Sequence, residues 1–588
     1  MKKILILIGF ILPIQIFGQV WVARYNGSVS SPGAYDVAYA MAVDDSGYIY
    51  VTGESCDDYM TIKYNSSGDT VWVRKYNGQD NSDDQALAIA VDKSRNVYIT
   101  GMSYGNGTYY DYATVKYNST GDEVWVRRYD SGGGAGGIYD VGRALALDSI
   151  GNVYVTGTSN GNGGYTTIKY DSSGNTMWNR KYSGSNEVNA IAVDKGGNAY
   201  VTGTSVGSGN INDYAIIKYN STGDTLWVRR YRKSGYIDNE ANAIVVDNSG
   251  NVYVTGVSSK SFSSDTISEY ATIKYNSSGD TVWVRTYSGT SKKNYDDVKV
   301  SSTYKEIIAI APNRVKTNKN LFGQRGATAL AIDSDGNVYV TGRSYASATN
   351  YDYATIKYNS SGDTMWVRRY NGTGDSIDVA RGIVLDNDGN VYVTGNSWGV
   401  GSAYGEDYAT IKYNSSGSEE WVQRYNGPAN MVDNAYSIAV DNKGYVYVTG
   451  GSEDYNYDYT TIKYSTVGIE EPLTLDFGLG IWELKAFPNP FIGNTVISYS
   501  GISYLGNKST NNSSSAKGTA DKQAKIQIYD IAGKLVKSLP MTQLPNDQMT
   551  SITWDGKDNN GRITKSGIYF VKLVTDNYRE TKKLLLIK

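Results

Sequence analysis

The sequence predicts an all-β chain: an eight-bladed β-propeller followed by a small C-terminal β-sandwich. Glycine (65 residues) and tyrosine (54) are abundant while proline (9) is scarce, a composition typical of many short strands joined by tight turns. A segment of the form AIAVDxxGNVYVTG recurs eight times, and each copy is followed by YATIKY, an NSSGD turn and WVRRY. Four strand-like runs per repeat are the pattern of one propeller blade per repeat.

The N-terminus has the pattern of a secretory signal peptide. Lys2 and Lys3 precede an apolar run that is too short to remain as a membrane anchor, and Gly18 offers a cleavage site. We therefore expect residues 1–18 to be removed and the mature chain to be exported, not membrane-spanning. The single cysteine, Cys56, excludes an internal disulfide, so burial and ring closure must supply the stability.

The order of the repeated segments predicts how the ring closes. Eight tryptophans mark the fourth-strand segment: Trp21, Trp72, Trp125, Trp178, Trp227, Trp283, Trp366 and Trp421. The first of these segments precedes the first AVD segment, and none follows the last IKY segment. We expect the N-terminal strand to complete the final blade, which removes an exposed sheet edge.

The repeat resembles a known bacterial family. KYNSSGDTMWVRRYNG and AIVVDNSGNVYVTG, as they stand at 357–372 and 243–256, are similar to the SBBP β-propeller repeat, and the second is also similar to NHL repeats. The resemblance covers residues 19–466 and implies a propeller scaffold without a shared activity. It also implies seven blades as the alternative to the eight counted here.

Antiparallel strands place successive connections on alternate faces of the propeller. One face carries the short, nearly constant turns, and the other carries variable loops, including an insertion at about 286–325. Loops on a rigid scaffold commonly carry function. We take Trp398, Tyr109 and Tyr404 as candidate contacts for an extracellular glycan or protein, although polar loops that are merely solvated would look the same.

Two sets of acidic residues recur from blade to blade. The first precedes each AVD segment and forms a candidate ligand or cation ring, for example for Ca²⁺, with a local turn cap as the alternative: Asp36, Asp84, Asp140, Asp378 and Asp433, with Asn186, Asn239 and Arg325 in the other blades. The second precedes the third strand: Asp58, Asp111, Asp213, Glu269, Asp352, Asp407 and Asp458. We expect the lysine of each IKY segment to serve cross-strand pairing.

Composition excludes several classes of function. The chain has no histidine, so Ser/His/Asp and Cys/His nucleophile activation and His-containing zinc sites are excluded. A net charge of -3 without a basic cluster argues against nucleic-acid binding. The leading expectation is a non-enzymatic binding or adhesion scaffold without a cofactor. The alternatives are a lyase or glycosidase using Asp296, Asp297 and Arg325 near the insertion, and a structural spacer in a surface coat.

Beyond a linker at 467–485, residues 486–588 alternate apolar and polar residues as short strands. FPNPFIGNTVISY, IYDIAGKLVKSL and WDGKDNNGRITKSGIYFVKL resemble the type A C-terminal sorting domain of the type IX secretion system, and equally the FlgD-type immunoglobulin-like domain. The resemblance implies the type IX machinery as a partner and a secreted or cell-surface location. It rests on the motif residues Pro488, Asn489, Pro490, Gly567 and Tyr569. A plain stabilising appendage is the alternative.

Overall fold

The computed structural model is all-β and forms two compact units, Met1–Glu470 and Glu471–Lys588. It describes residues 19–465 and 482–587, apart from 28–34, 80, 133–138, 160–162, 263–264, 290–325, 347–349, 400–404, 455, 488–490, 493–494, 502–524, 531–533, 540–549 and 575–578. Several predicted features lie outside the described residues: the segment 1–18 predicted to be a signal peptide, most of the insertion with Asp296, Asp297 and Arg325, Tyr404, and Pro488–Pro490. Among the described residues, none forms a helix that is long and apolar enough to cross a membrane.

The first unit consists of eight four-stranded antiparallel sheets, one per repeat. Blades 1 to 4 comprise β2 (Asp36–Val43), β3 (Ile49–Ser55), β4 (Asp58–Tyr64), β5 (Thr70–Tyr76); β6 (Asp84–Val91), β7 (Val97–Tyr104), β8 (Tyr110–Tyr117), β9 (Glu123–Tyr129); β10 (Asp140–Leu147), β11 (Val153–Ser159), β12 (Gly164–Tyr170), β13 (Thr176–Ser183); and β14 (Ser185–Val193), β15 (Ala199–Val206), β16 (Asn212–Tyr219), β17 (Thr225–Tyr231). Blades 5 to 8 comprise β18 (Asp238–Val246), β19 (Val252–Phe262), β20 (Asp265–Tyr275), β21 (Thr281–Tyr287); β22 (Gly326–Ile332), β23 (Val338–Ala346), β24 (Asn350–Tyr358), β25 (Thr364–Tyr370); β26 (Asp378–Leu385), β27 (Val391–Trp398), β28 (Glu406–Tyr413), β29 (Glu419–Tyr425); and β30 (Asp433–Val440), β31 (Val446–Glu453), β32 (Tyr457–Tyr464), β1 (Gln19–Tyr25).

The prediction of eight blades closed by the N-terminal strand is confirmed. Strand β1 pairs antiparallel with β32, from Gln19 opposite Tyr464 to Tyr25 opposite Tyr459, and so supplies the fourth strand of blade 8. The first strands of the blades contact one another in a closed ring of eight and therefore surround the propeller axis.

The hydrophobic core lies between neighbouring blades. Trp366 and Tyr353 of blade 6, for example, are buried against Val391 and Ile411 of blade 7. Small residues such as Ala380 occupy the inner strands, where the blades converge, and bulky tryptophans fill the wider outer part. Each blade therefore buries its apolar face only against its neighbours, as expected of a repeat array.

Residues that recur in every blade hold adjacent blades together. The hydroxyl of one buried third-strand tyrosine per blade donates to a backbone carbonyl of the next blade, and Tyr459 closes the circle by donating to Met60 (3.2 Å). The other seven bonds run from Tyr59 to Ala113, Tyr112 to Thr166, Tyr165 to Thr204, Tyr214 to Ala271, Tyr270 to Ala354, Tyr353 to Ala409 and Tyr408 to Thr460.

The IKY lysines also join blades. Lys63 Nζ lies 5.0 Å from the ring centre of its cross-strand neighbour Tyr50, and it donates to the Ser119 carbonyl of the next blade (3.1 Å). Six further lysines make the same bond to the next blade: Lys116, Lys169, Lys218, Lys274, Lys357 and Lys463. Cross-strand contact is thus one part of their role, and linking two blades is the other.

The two D-x-D-G-N segments, which begin at Asp333 and Asp386, are hairpin turns. Asp333 accepts hydrogen bonds from the amides of Asp335 (3.0 Å) and Asn337 (2.9 Å) and from the Tyr339 hydroxyl (3.0 Å). Gly336 adopts φ = 77°, a conformation that favours glycine. The Asp333 carboxylate is therefore used within its own blade.

The second unit is an immunoglobulin-like β-sandwich. One sheet has the order β33-β35-β38 and the other β34-β40-β39-β36-β37. Its strands are β33 (Trp482–Phe487), β34 (Phe491–Ile492), β35 (Thr495–Gly501), β36 (Lys525–Asp530), β37 (Leu535–Leu539), β38 (Thr550–Trp554), β39 (Gly567–Val574) and β40 (Arg579–Ile587). Gly567 begins β39, and the buried Tyr569 packs edge-on against Trp554 at 5.2 Å.

Candidate functional site

The aspartates of the predicted ring each hold an inter-blade loop. Each is the first residue of an inner strand, is buried, and accepts a hydrogen bond from a backbone amide of the preceding loop. The bonds run from Gly27 to Asp36 (2.8 Å), Gly78 to Asp84 (2.5 Å), Ser131 to Asp140 (2.7 Å), Gly372 to Asp378 (2.7 Å) and Gly427 to Asp433 (2.6 Å). This is the turn-capping role that the sequence left open as the alternative to a cation ring.

Each ring aspartate lies near the third-strand acid of the preceding blade. The charge of Asp407, for instance, adds to burial in raising the pKa of Asp433 to about 7, and Asp352 acts likewise on Asp378, whose pKa burial raises to about 6. The third-strand acids are in turn ion-paired: Asp58 with Lys75, Asp111 with Arg128, Asp213 with Arg232, Glu269 with Lys233, Asp352 with Arg369, Asp407 with Arg424 and Asp458 with Arg24.

One group of three carboxylates among the described residues comes close enough to share a cation. Asp111, Asp130 and Asp140 each place an oxygen within 4.8 Å of the others. Arg128 already pairs with Asp111 at 2.8 Å, and the amides of Ser131 and Gly132 donate to Asp140 and Asp130. Arg128 is thus paired with one of these carboxylates, and backbone amides of the chain are hydrogen-bonded to the other two.

Two of the three predicted loop contacts, Trp398 and Tyr109, lie within the described residues, on the variable face in different blades. Trp398 ends β27 half-buried, and its amide donates to Asp378 (3.1 Å). Tyr109 is partly exposed and packs against Tyr104 (5.5 Å) and Tyr110 (6.0 Å). The structure thus does not bring Trp398 and Tyr109 together, and Tyr404 lies outside the described residues.

Sequence reasoning missed a set of residues on the inner strands, which surround the propeller axis, near the variable face. Every inner strand shifts register by one residue there, a β-bulge that re-aims a side chain. We call these the bulge residues: Tyr39, Leu87, Arg143, Asn189, Asn242, Thr328, Arg381 and Tyr436 for blades 1 to 8. They differ in type between blades, although small residues flank all of them except Asn189, which follows Val188. This variable position within a constant segment was the signal available in the sequence.

In blades 4 to 6 the bulge residue tethers its blade to the next one. Asn189 donates to the carbonyl of Ala241, Asn242 to that of Ala327, and Thr328 Oγ1 to that of Ala380, each at 2.8 Å. These short side chains therefore stabilise the contact between neighbouring blades.

Around the closure of the ring the bulge residues are large. The rings of Tyr39 and Tyr436 lie 5.8 Å apart, across the junction of blades 1 and 8, and the Arg381 guanidinium lies 5.4 Å from the ring centre of Tyr436. All three side chains remain partly exposed. Two tyrosines and one arginine of three successive blades thus share one end of the axis.

Buried polar groups lie beside these rings. The Tyr39 hydroxyl is 3.4 Å from Glu54 Oε2, and Asn396 Nδ2 donates to Glu406 Oε2 (2.8 Å). Glu54 is 1% exposed and Glu406 6%. Asn396 also contacts Asn434 of blade 8.

We call Tyr39, Glu54, Arg381, Glu406 and Tyr436 the seam cluster. Burial raises the pKa of the Tyr436 hydroxyl, the Arg381 charge opposes this effect, and the Glu406 charge adds to it. The hydroxyl therefore stays protonated at neutral pH and can donate. The cluster combines aromatic faces, hydroxyl and guanidinium donors and carboxylate acceptors.

A second aromatic pair flanks the seam cluster. Tyr35 and Tyr457 stack with ring centres 5.7 Å apart and planes 26° from parallel, and both are partly exposed. Tyr436 is close enough to Tyr457 to contribute to raising its pKa, after burial and Glu453. The aromatic surface therefore extends from the axis toward the variable loops.

Comparison with known proteins agrees with this architecture. The model of the beta-propeller repeat SBBP matches residues 20–58, 71–107, 125–165, 226–262, 366–401 and 420–458, and that of the FlgD Ig-like domain matches residues 506–578. No curated protein matches the sequence.

Similar solved structures include PorZ, a surface component of the type-IX secretion system of Porphyromonas gingivalis (13% identity, TM-score 0.31, covering 94% of this chain and 70% of that one). Others are Drosophila Plexin A in complex with Semaphorin 1b (9%, 0.36, 76% and 87%) and Porphyromonas gingivalis dipeptidyl peptidase 4 (10%, 0.35, 79% and 64%). At such identities and TM-scores a likeness says nothing about function. The chain thus carries SBBP beta-propeller repeats and a FlgD Ig-like domain.

Proposed function

We propose that this protein is an extracellular, non-enzymatic propeller that binds a glycan at the seam cluster. The observation that carries the proposal is the meeting of Tyr39, Tyr436 and Arg381 with buried Glu54 and Glu406 at one end of the axis. Elsewhere the recurring polar residues serve the scaffold, whereas this cluster does not recur from blade to blade.

The chemistry of the cluster suits a sugar. A pyranose has apolar C–H faces that pack on aromatic rings and hydroxyls that need hydrogen-bond partners. The partly exposed Tyr39, Tyr436 and Arg381 offer rings, hydroxyls and a guanidinium, and the buried Glu54 and Glu406 lie behind them. Tyrosine hydroxyls and amides also adapt to different hydroxyl patterns. A flat protein surface would match such a recessed polar cluster less well, and we therefore favour a glycan over a protein ligand.

Export and surface location form part of the proposal. They are supported by the charged and apolar N-terminal pattern and by the resemblance of residues 486–588 to a type IX sorting domain. The FlgD Ig-like match covers most of that segment. We propose that the second unit targets the propeller to the cell surface through the type IX machinery.

A glycan array probed with the full chain tests the binding proposal. The variant Tyr436→Ala removes the central ring of the seam cluster and should weaken binding of the best glycan at least about tenfold, or 1.4 kcal/mol. Thr328→Val is the matched control, because it changes the same bulge position in blade 6 and should bind like the wild type. Thermal melting of both variants checks that they remain folded.

The outcomes separate binding from its alternatives. Equal binding by Tyr436→Ala and the wild type would move the site away from the seam cluster. Release of new reducing or unsaturated ends from the bound glycan would favour the lyase or glycosidase alternative, and no binding to any glycan would favour the structural spacer.

A further inference from the structure

The large bulge residues occupy five consecutive blades. In the order of blades 7, 8, 1, 2 and 3 they are Arg381, Tyr436, Tyr39, Leu87 and Arg143, and we call this set the bulge arc. It begins and ends with an arginine and has aromatic and apolar residues between them. All five side chains are partly exposed.

The part of the arc beyond the seam cluster has its own apolar support. Leu87 packs against the buried cluster of Met102, Tyr110 and Val141, to which Tyr139 also contributes. The partly exposed Tyr109 belongs to the same group. An apolar surface with tyrosine edges thus joins blades 2 and 3.

Arg143 closes this end of the arc. Its pKa is lowered by burial, and the nearby charge of Glu187 in blade 4 and the hydroxyls of Tyr112 and Tyr139 partly offset that effect. The guanidinium is therefore held among protein groups, and the residue as a whole is partly exposed. Such a fixed donor array suits a polar ligand that arrives along the axis.

The other three bulge residues are different in kind. The bulge side chains of blades 4 to 6, Asn189, Asn242 and Thr328, are short and donate to neighbouring backbone carbonyls. We call the ring of eight bulge residues at the variable face the mouth. Five of its blades carry large side chains, and the other three, the tethered side, carry short side chains bonded to a neighbouring blade. A ligand that uses the large side chains must lie along one side of the ring.

The length of the arc sets the length of the ligand. First strands of neighbouring blades cannot approach closer than the ~4.8 Å of hydrogen-bonded strands, so four blade-to-blade steps span at least about 19 Å along the arc. The four steps make up half of a closed ring of eight, so the two ends of the arc lie at least about 12 Å apart in a straight line, which still exceeds one sugar ring. A monosaccharide on the seam cluster would leave Leu87 and Arg143 without contact.

We propose that the bulge arc binds an extended oligosaccharide segment of several sugar residues, with one end on the seam cluster and the other at Arg143. This inference rests on the proposed glycan-binding function and adds the length and direction of the ligand. The middle of the chain lies over Leu87.

Length ladders of oligosaccharides test the inference with the full-length protein. The probes are β-1,4-linked oligomers of glucose, xylose, mannose and N-acetylglucosamine, from monosaccharide to hexasaccharide, measured by calorimetry. In the series that binds, the hexasaccharide should bind at least about tenfold more tightly than the disaccharide. Arg143→Gln and Leu87→Ala should each reduce that ratio toward one, whereas Tyr436→Ala should weaken the binding of both lengths.

The control and the opposing results are distinct. Thr328→Val, on the tethered side, should keep the wild-type ratio, and melting curves identify any variant that has lost its fold. Equal affinity for disaccharide and hexasaccharide, or an Arg143→Gln protein that is folded and keeps the wild-type ratio, would overturn the extended site while leaving glycan binding at the seam cluster intact. No binding at any length would overturn both proposals.

Discussion

The constant-turn face and the mouth at the variable face are built from the same eight repeats, but the residues recur at the first and vary at the second. At the turns, equivalent residues make equivalent bonds: Trp366 Nε1 and Lys357 Nζ both donate to the Ser415 carbonyl of the next blade, and counterparts recur around the ring. At the mouth, the bulge position carries tyrosine, leucine, arginine, asparagine or threonine. The scaffold tolerates this variation because a bulge residue is outside the ladder of paired residues.

The difference teaches how to separate scaffold from site in a repeat protein. A residue that recurs around the ring makes the same kind of bond in most blades, to a neighbouring blade or to the loop between blades, and its presence is explained by that bond. The aspartates Asp36, Asp84 and Asp433 are of this kind, since each accepts from an inter-blade loop amide. The members of the seam cluster do not recur around the whole ring, and no such repeated bond accounts for them.

The largest expected effect comes from breaking a repeated residue. Trp366→Ala removes a buried indole from the core between blades 6 and 7 and should lower the free energy of unfolding by about 3–5 kcal/mol. Its neighbour Met365 is 58% exposed, and Met365→Ala should change stability by less than about 0.5 kcal/mol. Denaturant titration of the two variants measures both. Similar losses would contradict the assignment of the core to the junction between blades.

A smaller effect should appear as a pH dependence of the loop-holding aspartates. Burial raises the pKa of Asp433 in the folded protein to about 7, against 3.8 as the ordinary value. The stability associated with its protonated form is fully present below about pH 4 and is lost as the pH rises through about 7, by at most about 4 kcal/mol. Asp433→Asn should flatten this part of the stability profile.

Asp247 offers a matched control with the opposite sign. Burial alone would raise its pKa, but hydrogen bonds from Asn251 and Tyr253 lower it below the ordinary value. Its contribution is present above the unfolded pKa and is lost as the pH falls through the folded value. Asp247→Asn should therefore change the acid side of the profile, and an identical change in both variants would contradict the two environments.

Sequence reasoning reached the scaffold more completely than the site. Eight Trp segments, with Trp21 ahead of the first AVD segment, were sufficient to predict eight blades and their closure. The reason is that each repeat contains four strand-like runs that can be recognised in the sequence. The ring of aspartates was visible too. Which oxygen accepts from which loop amide, however, depends on the path of loops such as that around Gly427, which repeat patterns do not specify.

The seam cluster could be predicted only in part. The variable position in A-x-A is readable in the sequence, and it marks Tyr39, Arg381 and Tyr436 as exceptions. That these residues meet depends on ring closure, which brings residue 39 beside residue 436. Glu54 and Glu406 join them only because neighbouring strands are in register at that height, with Glu54 opposite Val37 and Glu406 opposite Trp398.

The smallest stability effect sharpens the comparison most, because it applies one substitution to both regions. Arg285 is a repeated arginine whose Nε donates to the Gly362 carbonyl of the next blade (2.6 Å) while the guanidinium lies 5.7 Å from the Trp283 ring centre. Arg285→Ala should cost about 1.5–3 kcal/mol of stability and leave glycan affinity unchanged. Arg381→Ala removes a contact with Tyr436 worth about 0.5–1 kcal/mol, so it should scarcely change the melting temperature.

Glycan affinity should show the reverse order. Arg381 is one of the few donors of the seam cluster, so Arg381→Ala should weaken binding several-fold while the fold persists. Because the two arginines undergo the same change, differences in side-chain size or overall charge cannot account for opposite outcomes. If Arg285→Ala instead impaired binding in a folded protein, repeated and exceptional residues would share the functional role, and the division between scaffold and site would fail.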